Sequence, residues 1–152
     1  MYNYYKYEGN HPIINNKDHV SFRKVIPIFD SFHSFTWHLM SIIGGIFHEY
    51  QILKNGIVVS TAQVCPRLPI FPFIPKWGWH IGPCQTVKEE RGKGYYPLLL
   101  QYIIEEHPER EYFMIVDKNN IPSQRGIAKL NFVKFAEGNK DSIGRYVIIN
   151  RQ

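Results

Sequence analysis

Apolar and polar positions along the chain follow two periods, one typical of strands and one typical of helices. Residues 20–25 and 79–87 are short apolar-rich runs that predict strands, and the unbroken apolar run at 112–116 predicts a strand covered on both faces. Apolar residues spaced three or four apart predict a helix from about 30 to 43, which the glycine pair at 44–45 would end. This combination predicts an α/β domain.

The clearest turn signal is the Asn55-Gly56 pair. Residues 50–54 and 57–62 on either side are rich in apolar and β-branched residues, as strands are. Asparagine and glycine both accept a positive φ, which the tight type I′ turn requires at two successive residues. These residues therefore predict a β-hairpin.

The last third of the chain predicts a further helix and two strands. Asn120 is suited to cap a helix through Leu130, because its side-chain oxygen can accept a backbone hydrogen bond. Strands are predicted at 132–136 and 146–149, around a connection at 137–144.

Two segments match neither pattern. Residues 1–12 are polar and tyrosine-rich, and we expect a tail or an edge segment there. Residues 66–78 carry four prolines, each lacking the N–H group that a central strand donates. We expect this segment to cover one edge of the sheet. An acceptor pocket lined by its aromatic rings, or contact with a membrane surface, is the alternative.

Composition narrows the class of protein. The length predicts a single domain spanning residues 1–152, and no apolar window approaches the ~18 residues that a membrane span needs. The start lacks the apolar core of a signal peptide, and two cysteines are too few for a disulfide framework, so we expect a cytoplasmic protein with reduced thiols. The net charge of +5 suits an anionic ligand, but no Lys/Arg block of about five or more is present, which disfavours nucleic acid.

The most informative stretch is Arg91-Gly92-Lys93-Gly94, which leads directly into an apolar run. Pro97 must lie in the first turn of the helix that follows, because proline has no N–H to donate further along. A glycine loop at this place turns its backbone N–H groups outward, where the helix dipole is positive. The stretch therefore predicts an anion site.

These residues resemble the GNAT (GCN5-related N-acetyltransferase) family. Arg91-Gly92-Lys93-Gly94 matches the start of its Arg/Gln-x-x-Gly-x-Gly/Ala loop, which binds the pyrophosphate of acetyl-CoA. The residues from Asn120 to Ser123 and from Lys129 to Phe132 match its Asn-x-x-Ser/Ala…Lys-x-Gly-Phe segment. The resemblance covers residues 79–149. It implies an acyl-CoA N-acyltransferase-like fold, in which a mixed, mostly antiparallel central sheet is flanked by helices and two parallel strands splay apart at the cofactor site.

The resemblance also implies which residues contact acetyl-CoA, with no metal. Main-chain groups near Thr86 and Val87 would hold the pantetheine arm, and the loop would hold the pyrophosphate. The full set is Thr86, Val87, Arg91, Gly92, Lys93, Gly94, Tyr95, Tyr96, Asn120 and Ser123.

Three positions depart from the family pattern. Tyr96 stands where the loop usually ends in a small residue, so we expect its ring to point outward. Asn131 replaces a glycine, which asparagine tolerates because it also adopts left-handed conformations. Ile127 occupies the place where many members carry a tyrosine that protonates the leaving thiolate.

Acetyl transfer from a thioester to an amine needs a base that keeps the amine neutral and a hydrogen-bond donor that stabilises the oxyanion. The thiolate must also be able to leave. Backbone N–H groups of the splayed strand would serve the oxyanion. His80 is the preferred base, with Tyr95 or Tyr96 as alternatives, and a structural role for His80 is the competing interpretation. Cys84 as an acyl-accepting nucleophile is disfavoured against a small buried residue. No closely spaced Cys or His pair supports zinc.

The expected function is therefore an acetyl-CoA-dependent N-acetyltransferase that acts by direct attack in a ternary complex. The acceptor is a primary amine of a small molecule, an amino sugar or a protein. The alternatives are a non-catalytic CoA-binding module of the same fold, which Ile127 favours, and more distantly a basic adaptor for nucleic acid or a membrane surface. No nucleic acid and no membrane span are expected, and a homodimer is left open.

Overall fold

Apart from the first strand, the described strands and helices follow one another as the sequence predicts. The computed structural model describes residues 1–15, 18–26 and 47–151, and the helix predicted from about 30 to 43 lies outside them. The elements are β1 (Tyr2–Tyr7), β2 (Val20–Val25), β3 (His48–Lys54), β4 (Ile57–Pro66), β5 (Gly78–Thr86), α1 (Tyr95–Glu106), β6 (Glu111–Asp117), α2 (Ile121–Ala128), β7 (Phe132–Lys140) and β8 (Tyr146–Arg151). A 3-10 turn, Lys88–Glu90, precedes α1. The final strand pair is longer than predicted, so that β7 takes in part of the expected connection.

The eight strands form one sheet in the order β2-β3-β4-β5-β6-β1-β7-β8. Neighbours run antiparallel except for β5 and β6, which are parallel. Side chains of α1 and α2 share one large apolar core with the sheet. The predicted fold class, a mixed and mostly antiparallel sheet with helices packed on it, is confirmed.

The predicted hairpin is confirmed between β3 and β4. Asn55 has φ 52° and Gly56 has φ 78°, so both central residues of the turn have the positive φ that a type I′ turn requires. The register pairs Lys54 with Ile57 directly across the turn.

The expectation of a tail or edge segment at residues 1–12 is wrong for β1, which lies inside the sheet between β6 and β7. Tyrosine made this stretch look polar, but its ring is apolar and only its hydroxyl needs a partner. Tyr4 is fully buried and its hydroxyl donates to the carbonyl of Val147 at 3.0 Å. Tyr5 is also buried, and its hydroxyl donates to Oε1 of Gln124 at 3.2 Å.

The parallel strands β5 and β6 stay together over a short distance and then separate. Three residue pairs join them: Gly78 with Glu111, Trp79 with Tyr112, and His80 with Phe113. Beyond His80, β5 continues along β4 to Thr86, whereas β6 continues along β1. This edge of β5 therefore has no strand partner among the described residues, and the predicted splay is confirmed.

A bulge in β5 lies where the separation begins. Ala62 pairs with Cys84 and Val64 with Ile81, so β5 has one more residue than β4 over this interval. An extra residue bends a strand and increases its twist. Pro83 falls within this interval and has no N–H to donate to a neighbouring strand.

The limits of α1 follow from its sequence. Gly94 precedes the helix with φ 87°, and Pro97 lies in the first turn, as predicted. At the other end the hydroxyl of Tyr112 lies 3.0 Å from the carbonyl oxygens of both Ile103 and His107, and its single proton is shared between them. The carbonyl of His107 also accepts from the N–H of Arg110 at 3.1 Å. Within the described ranges, no helix combines the length and the apolar character that crossing a membrane would take.

The proline-rich segment at 66–78 belongs to a second apolar cluster. Leu68, Phe71 and Ile74 are at most 1% exposed and pack with Phe113. These residues therefore form core, as expected, whereas Trp77 is 69% exposed. The expectation that the segment covers an edge of the sheet is wrong, because Phe113 belongs to the interior strand β6.

A substitution at Gly138 tests the inner position of β1. An added Cβ there would lie 1.9 Å from the carbonyl oxygen of Val147 and 2.6 Å from the hydroxyl of Tyr4. Because the first of these atoms is backbone, we expect Gly138→Ala to lower the free energy of unfolding by about 3 kcal/mol. Urea denaturation measures this. The control is Asn150→Ala on the neighbouring strand, which is exposed and should change stability by less than about 0.5 kcal/mol. Equal midpoints for the two variants would contradict this packing.

Candidate cofactor site

A cleft of about 710 Å³ lies beside the free part of β5. Its walls come from β4, the end of β5 with the turn that follows, the glycine loop with the first turn of α1, and α2. The residues concerned fall within 58–61, 84–88, 90–92, 94–97 and 120–129. Segments distant in sequence therefore form one concave surface at the start of α1.

The structure brings nine of the ten predicted cofactor residues to this cleft. They are Thr86, Val87, Arg91, Gly92, Gly94, Tyr95, Tyr96, Asn120 and Ser123. Lys93 is the exception, and its ammonium pairs with Glu90 at 2.9 Å. The role of the nine residues as ligand contacts stays a prediction.

The glycine loop presents backbone donors. Gly92 has φ 82° and Gly94 has φ 87°, conformations that a residue with a Cβ adopts only under strain. The first hydrogen bond of α1 runs from the N–H of Leu98 to the carbonyl of Gly94, at 3.2 Å. Among the described residues, no backbone bond is donated by the amides from Gly92 to Tyr96. These amides are thus available to an anion, as at other helix starts.

A network of hydrogen bonds and ion pairs surrounds the glycine loop and the first residue of α1. The hydroxyl of Tyr95 donates to Asp18, and the ammonium of Lys54 lies 3.2 Å from Asp18 and 3.6 Å from Glu90. The hydrogen bonds from Tyr95 and Lys54 hold the pKa of the Asp18 carboxyl below its usual value. The pKa of Glu90 is lowered first by the hydrogen bond from Lys93. The negative charges next to the loop are thereby paired.

Arg91 joins the loop to the end of β5. Its Nε donates to the carbonyl oxygen of Thr86 at 3.0 Å. This bond leaves the rest of the guanidinium at the cleft, where Arg91 is exposed. The side chain therefore both positions the loop and contributes positive charge.

The ring of Tyr96 does not point outward, contrary to expectation. A Cβ placed on Gly126 would lie 2.6 Å from Cδ1 of this ring, so the ring lies directly against the backbone of α2. Burial raises the pKa of Tyr96 well above its ordinary value, and nearby Cys84 raises it further. The glycine at 126 makes room for this inward orientation, a long-range contact that a loop motif does not encode.

The thiol of Cys84 lines the cleft but is not activated. Burial raises its pKa to about 12, so the thiol remains protonated at neutral pH. A nucleophilic cysteine needs the opposite shift. Over the described ranges, no group of three or more His, Cys, Asp or Glu side chains is arranged to hold a metal ion.

Asn120 is confirmed as the cap of α2. Its side-chain oxygen accepts a hydrogen bond from the N–H of Ser123 at 3.2 Å, and Pro122 lies in the first turn. The helix ends at Ala128, two residues earlier than predicted. The cap places both Asn120 and Ser123 at the cleft.

His80 is not among the residues that line the cleft. Its ring stacks on Phe71 with the centroids 4.2 Å apart. Neither ring nitrogen has a hydrogen-bond partner within the described ranges, and burial lowers the pKa of His80 to about 3. Such a group is a weak base, so the geometry does not support the preferred role of His80 and favours the competing structural one.

Sequence reasoning missed two parts of the cleft. The strand segment 58–61 enters because β4 pairs with β5, which follows from strand order. Arg125 and Lys129 enter from α2. Their spacing of four residues was the available signal, since it places two side chains on one helical face.

No protein-family model matches the sequence, and no curated protein matches it. Solved structures do share its fold. A GNAT-family protein from Novosphingobium aromaticivorans superposes with a TM-score of 0.57 at 13% identity, over 88% of this chain and 59% of that one. A GNAT-family acetyltransferase from Colwellia psychrerythraea gives 0.56 at 11% identity, over 88% and 52%. A tandem GNAT protein of the clavulanic acid biosynthesis pathway gives 0.58 at 14% identity, over 88% and 50%.

The chain thus has the GNAT N-acetyltransferase fold. It spans between half and three fifths of the length of these solved structures.

Substitution of His80 tests its burial. We expect His80→Phe to keep the stacking on Phe71 and to change the free energy of unfolding at pH 7 by less than about 1 kcal/mol, because the ring nitrogens lose no partner. His80→Ala leaves a cavity and should cost about 2 kcal/mol or more. As the pH falls below 6.5, the unfolded chain binds a proton that the folded chain takes up only near pH 3, so His80 reduces stability at low pH.

The pH dependence of the free energy of unfolding distinguishes wild type from His80→Phe. Between pH 7 and pH 4, wild type should lose more stability than His80→Phe in denaturant titrations. Parallel curves for the two proteins would contradict the buried neutral imidazole.

Proposed function

We propose that the protein binds acetyl-CoA in the cleft and transfers the acetyl group to a primary amine by direct attack in a ternary complex. The observation that carries this proposal is the set of amides from Gly92 to Tyr96, which lie at the start of α1 and have no backbone partner in the described ranges. A diphosphate supplies acceptor oxygens and negative charge to such donors. Arg91 adds a cation at the same place.

The pantetheine arm would extend from this loop along the free edge of β5. Among the described residues, backbone N–H and C=O groups on that edge have no strand partner past His80, so they are available to an amide-containing chain. The same N–H groups would stabilise the oxyanion that forms when the amine attacks the thioester carbon. The splay of β5 and β6 therefore gives the proposal both a channel and an oxyanion donor.

We assign the protonation of the departing thiolate to Tyr96. Ile127 is fully buried and apolar, so it cannot donate a proton. The hydroxyl of Tyr95 donates to Asp18 instead. Tyr96 lines the cleft, and its raised pKa keeps the hydroxyl protonated. When the C–S bond breaks, the sulfur takes this proton, and the amine, which loses one proton on becoming an amide, restores it to the phenolate.

A second candidate function is a module of the same fold that binds CoA without chemistry. Ile127 favours this function, because its side chain supplies no proton at the position implied by the family resemblance. For the transferase, the acceptor is a primary amine of a small molecule, an amino sugar or a protein.

Arg91→Ala tests the cofactor loop. Losing both the cation and the bond to Thr86 should weaken CoA binding about tenfold in isothermal titration calorimetry. Arg67→Ala removes the same charge from the exposed end of the proline-rich segment, which does not line the cleft, and should leave the affinity unchanged. If wild type bound no CoA, the whole assignment would fail. Release of free thiol from acetyl-CoA with a panel of amines then separates enzyme from binding module.

Tyr96→Phe tests the proton donor. The variant keeps the ring against Gly126 and loses only the hydroxyl, so stability and KM for acetyl-CoA should remain near wild type. We expect kcat to fall by about a hundredfold, the lower range for loss of a general acid. Tyr102→Phe, which alters a tyrosine outside the cleft, is the control. An unchanged kcat would remove Tyr96 from the mechanism.

A further inference from the structure

The proline-rich segment at 66–78 has a buried side and an exposed side. Every third residue from Leu68 to Ile74 is buried in the core. Each of these is followed by an exposed proline, the three being Pro69, Pro72 and Pro75. The N–H groups of Phe71 and Ile74 donate to backbone carbonyls within the segment, at 2.9 and 3.1 Å, and proline has no N–H to donate. The exposed side is therefore an apolar ridge that offers few backbone donors.

Trp77 lies at the end of this ridge and is held in solvent. Its backbone belongs to a turn that the N–H of Gly78 closes on the carbonyl of Pro75 at 3.0 Å. Gly78 is fixed in the core, because an added Cβ would lie 2.7 Å from Cγ2 of Ile74 and 2.8 Å from Cε2 of Phe113. The indole nevertheless remains 69% exposed. A large amphipathic ring on a fixed backbone is thereby available to a partner.

Two cations accompany Trp77. The ammonium of Lys76 lies 5.2 Å from the centroid of the indole ring. Arg67 lies at the same end of the sheet, because it follows Pro66, the last residue of β4 to pair with β5. Within the described ranges, neither cation has a carboxylate oxygen within 4.0 Å. The segment 66–78 contains no acidic residue, so its positive charge has no counter-charge of its own.

Acidic residues lie at the start of the adjacent strand β6, but they are paired with other cations. Glu111 is opposite Gly78 in the sheet, and its carboxylate lies 3.2 Å from the ammonium of Lys6. The carboxylate of Glu109 lies 3.2 Å from Nε of Arg110. The start of β6 therefore does not cancel the charges beside Trp77.

We propose that Trp77, Lys76 and Arg67 form a docking surface for the anionic face of a phospholipid bilayer. An indole ring is favoured at the boundary between acyl chains and headgroups, where its ring is in apolar surroundings and its N–H stays hydrated. Lysine and arginine place their charges among the headgroups while their stems lie along apolar surface. Each such cation strengthens binding to an anionic bilayer by roughly fivefold.

The chemistry of this surface favours a bilayer over another macromolecule. A nucleic acid needs a larger set of cations along its backbone, and a protein interface needs about one hydrogen bond per 100–200 Å². This surface has two cations and few backbone donors. It also lies at the start of the nine-residue strand β5, roughly 25 Å from Thr86 at the cleft. The inference therefore concerns a separate surface and does not depend on the proposed function.

Sedimentation with vesicles of equal parts phosphatidylglycerol and phosphatidylcholine tests the proposal on the full chain. We expect wild type to bind these vesicles, to bind vesicles of phosphatidylcholine alone at least about tenfold more weakly, and to lose affinity as salt is raised. Trp77→Ala should weaken binding about tenfold, because less apolar area enters the bilayer. Arg67→Gln/Lys76→Gln should weaken it about twentyfold. Tryptophan fluorescence should shift to shorter wavelength when wild type binds, and this shift should be absent in Trp77→Ala.

Matched variants separate this surface from general effects. Ile57 is also 69% exposed but lies at the opposite end of β4, so Ile57→Ala removes an equally exposed apolar side chain. Lys118→Gln/Arg151→Gln removes one lysine and one arginine that are exposed outside the segment. Both controls should bind the anionic vesicles as wild type does. Thermal unfolding of each variant verifies that it is folded.

Several results would overturn the docking surface. Wild type that does not bind anionic vesicles, or that binds neutral ones equally well, has no charge-dependent docking. Equal losses in the two double variants would assign binding to net charge. Unchanged binding by Trp77→Ala would show that the indole does not enter the bilayer. A short DNA duplex that displaces the vesicles and loses affinity in the same variants would make the partner a nucleic acid.

Discussion

The cleft depends on one extra residue in β5. The bulge opposite Ala62 and Val64 follows directly after the three residue pairs that join β5 to β6. Had these strands continued in register, each N–H and C=O on the shared edge would be consumed by the ladder. Their separation instead leaves one edge of an interior strand without a partner strand in the described part of the chain. This edge provides both space and hydrogen-bonding groups.

The charges around the loop are divided between two tasks. Lys54 and Lys93 are paired with Asp18 and Glu90, so they fix the backbone of the loop. The loop amides, Arg91 and cations on other elements then remain to attract a ligand. A rigid set of donors is favourable for binding, because little conformational entropy remains to be lost when the ligand arrives.

The sequence predicted the parts of this molecule that local chemistry determines. The turn at Asn55-Gly56, the start of α1 at the glycine loop and the cap at Asn120 each depend on a few adjacent residues. What it did not predict depends on contacts across the chain. The inward ring of Tyr96 requires Gly126, and the isolation of His80 requires Phe71 above it. The burial of β1 depends on hydroxyl partners more than a hundred residues away, which no local pattern shows.

The inner position of β1 also sets an order of events in folding. Its neighbours are β6 and β7, so Tyr2 pairs with Asp117 on one side and with Gly138 on the other. Ribosomes deliver a chain from its N-terminus, so β1 is made before either of the strands that it pairs with. Long loops must close before these contacts form, which slows folding of such topologies. Until residue 140 has been synthesised, the middle of the sheet lacks one of the two strands that β1 joins.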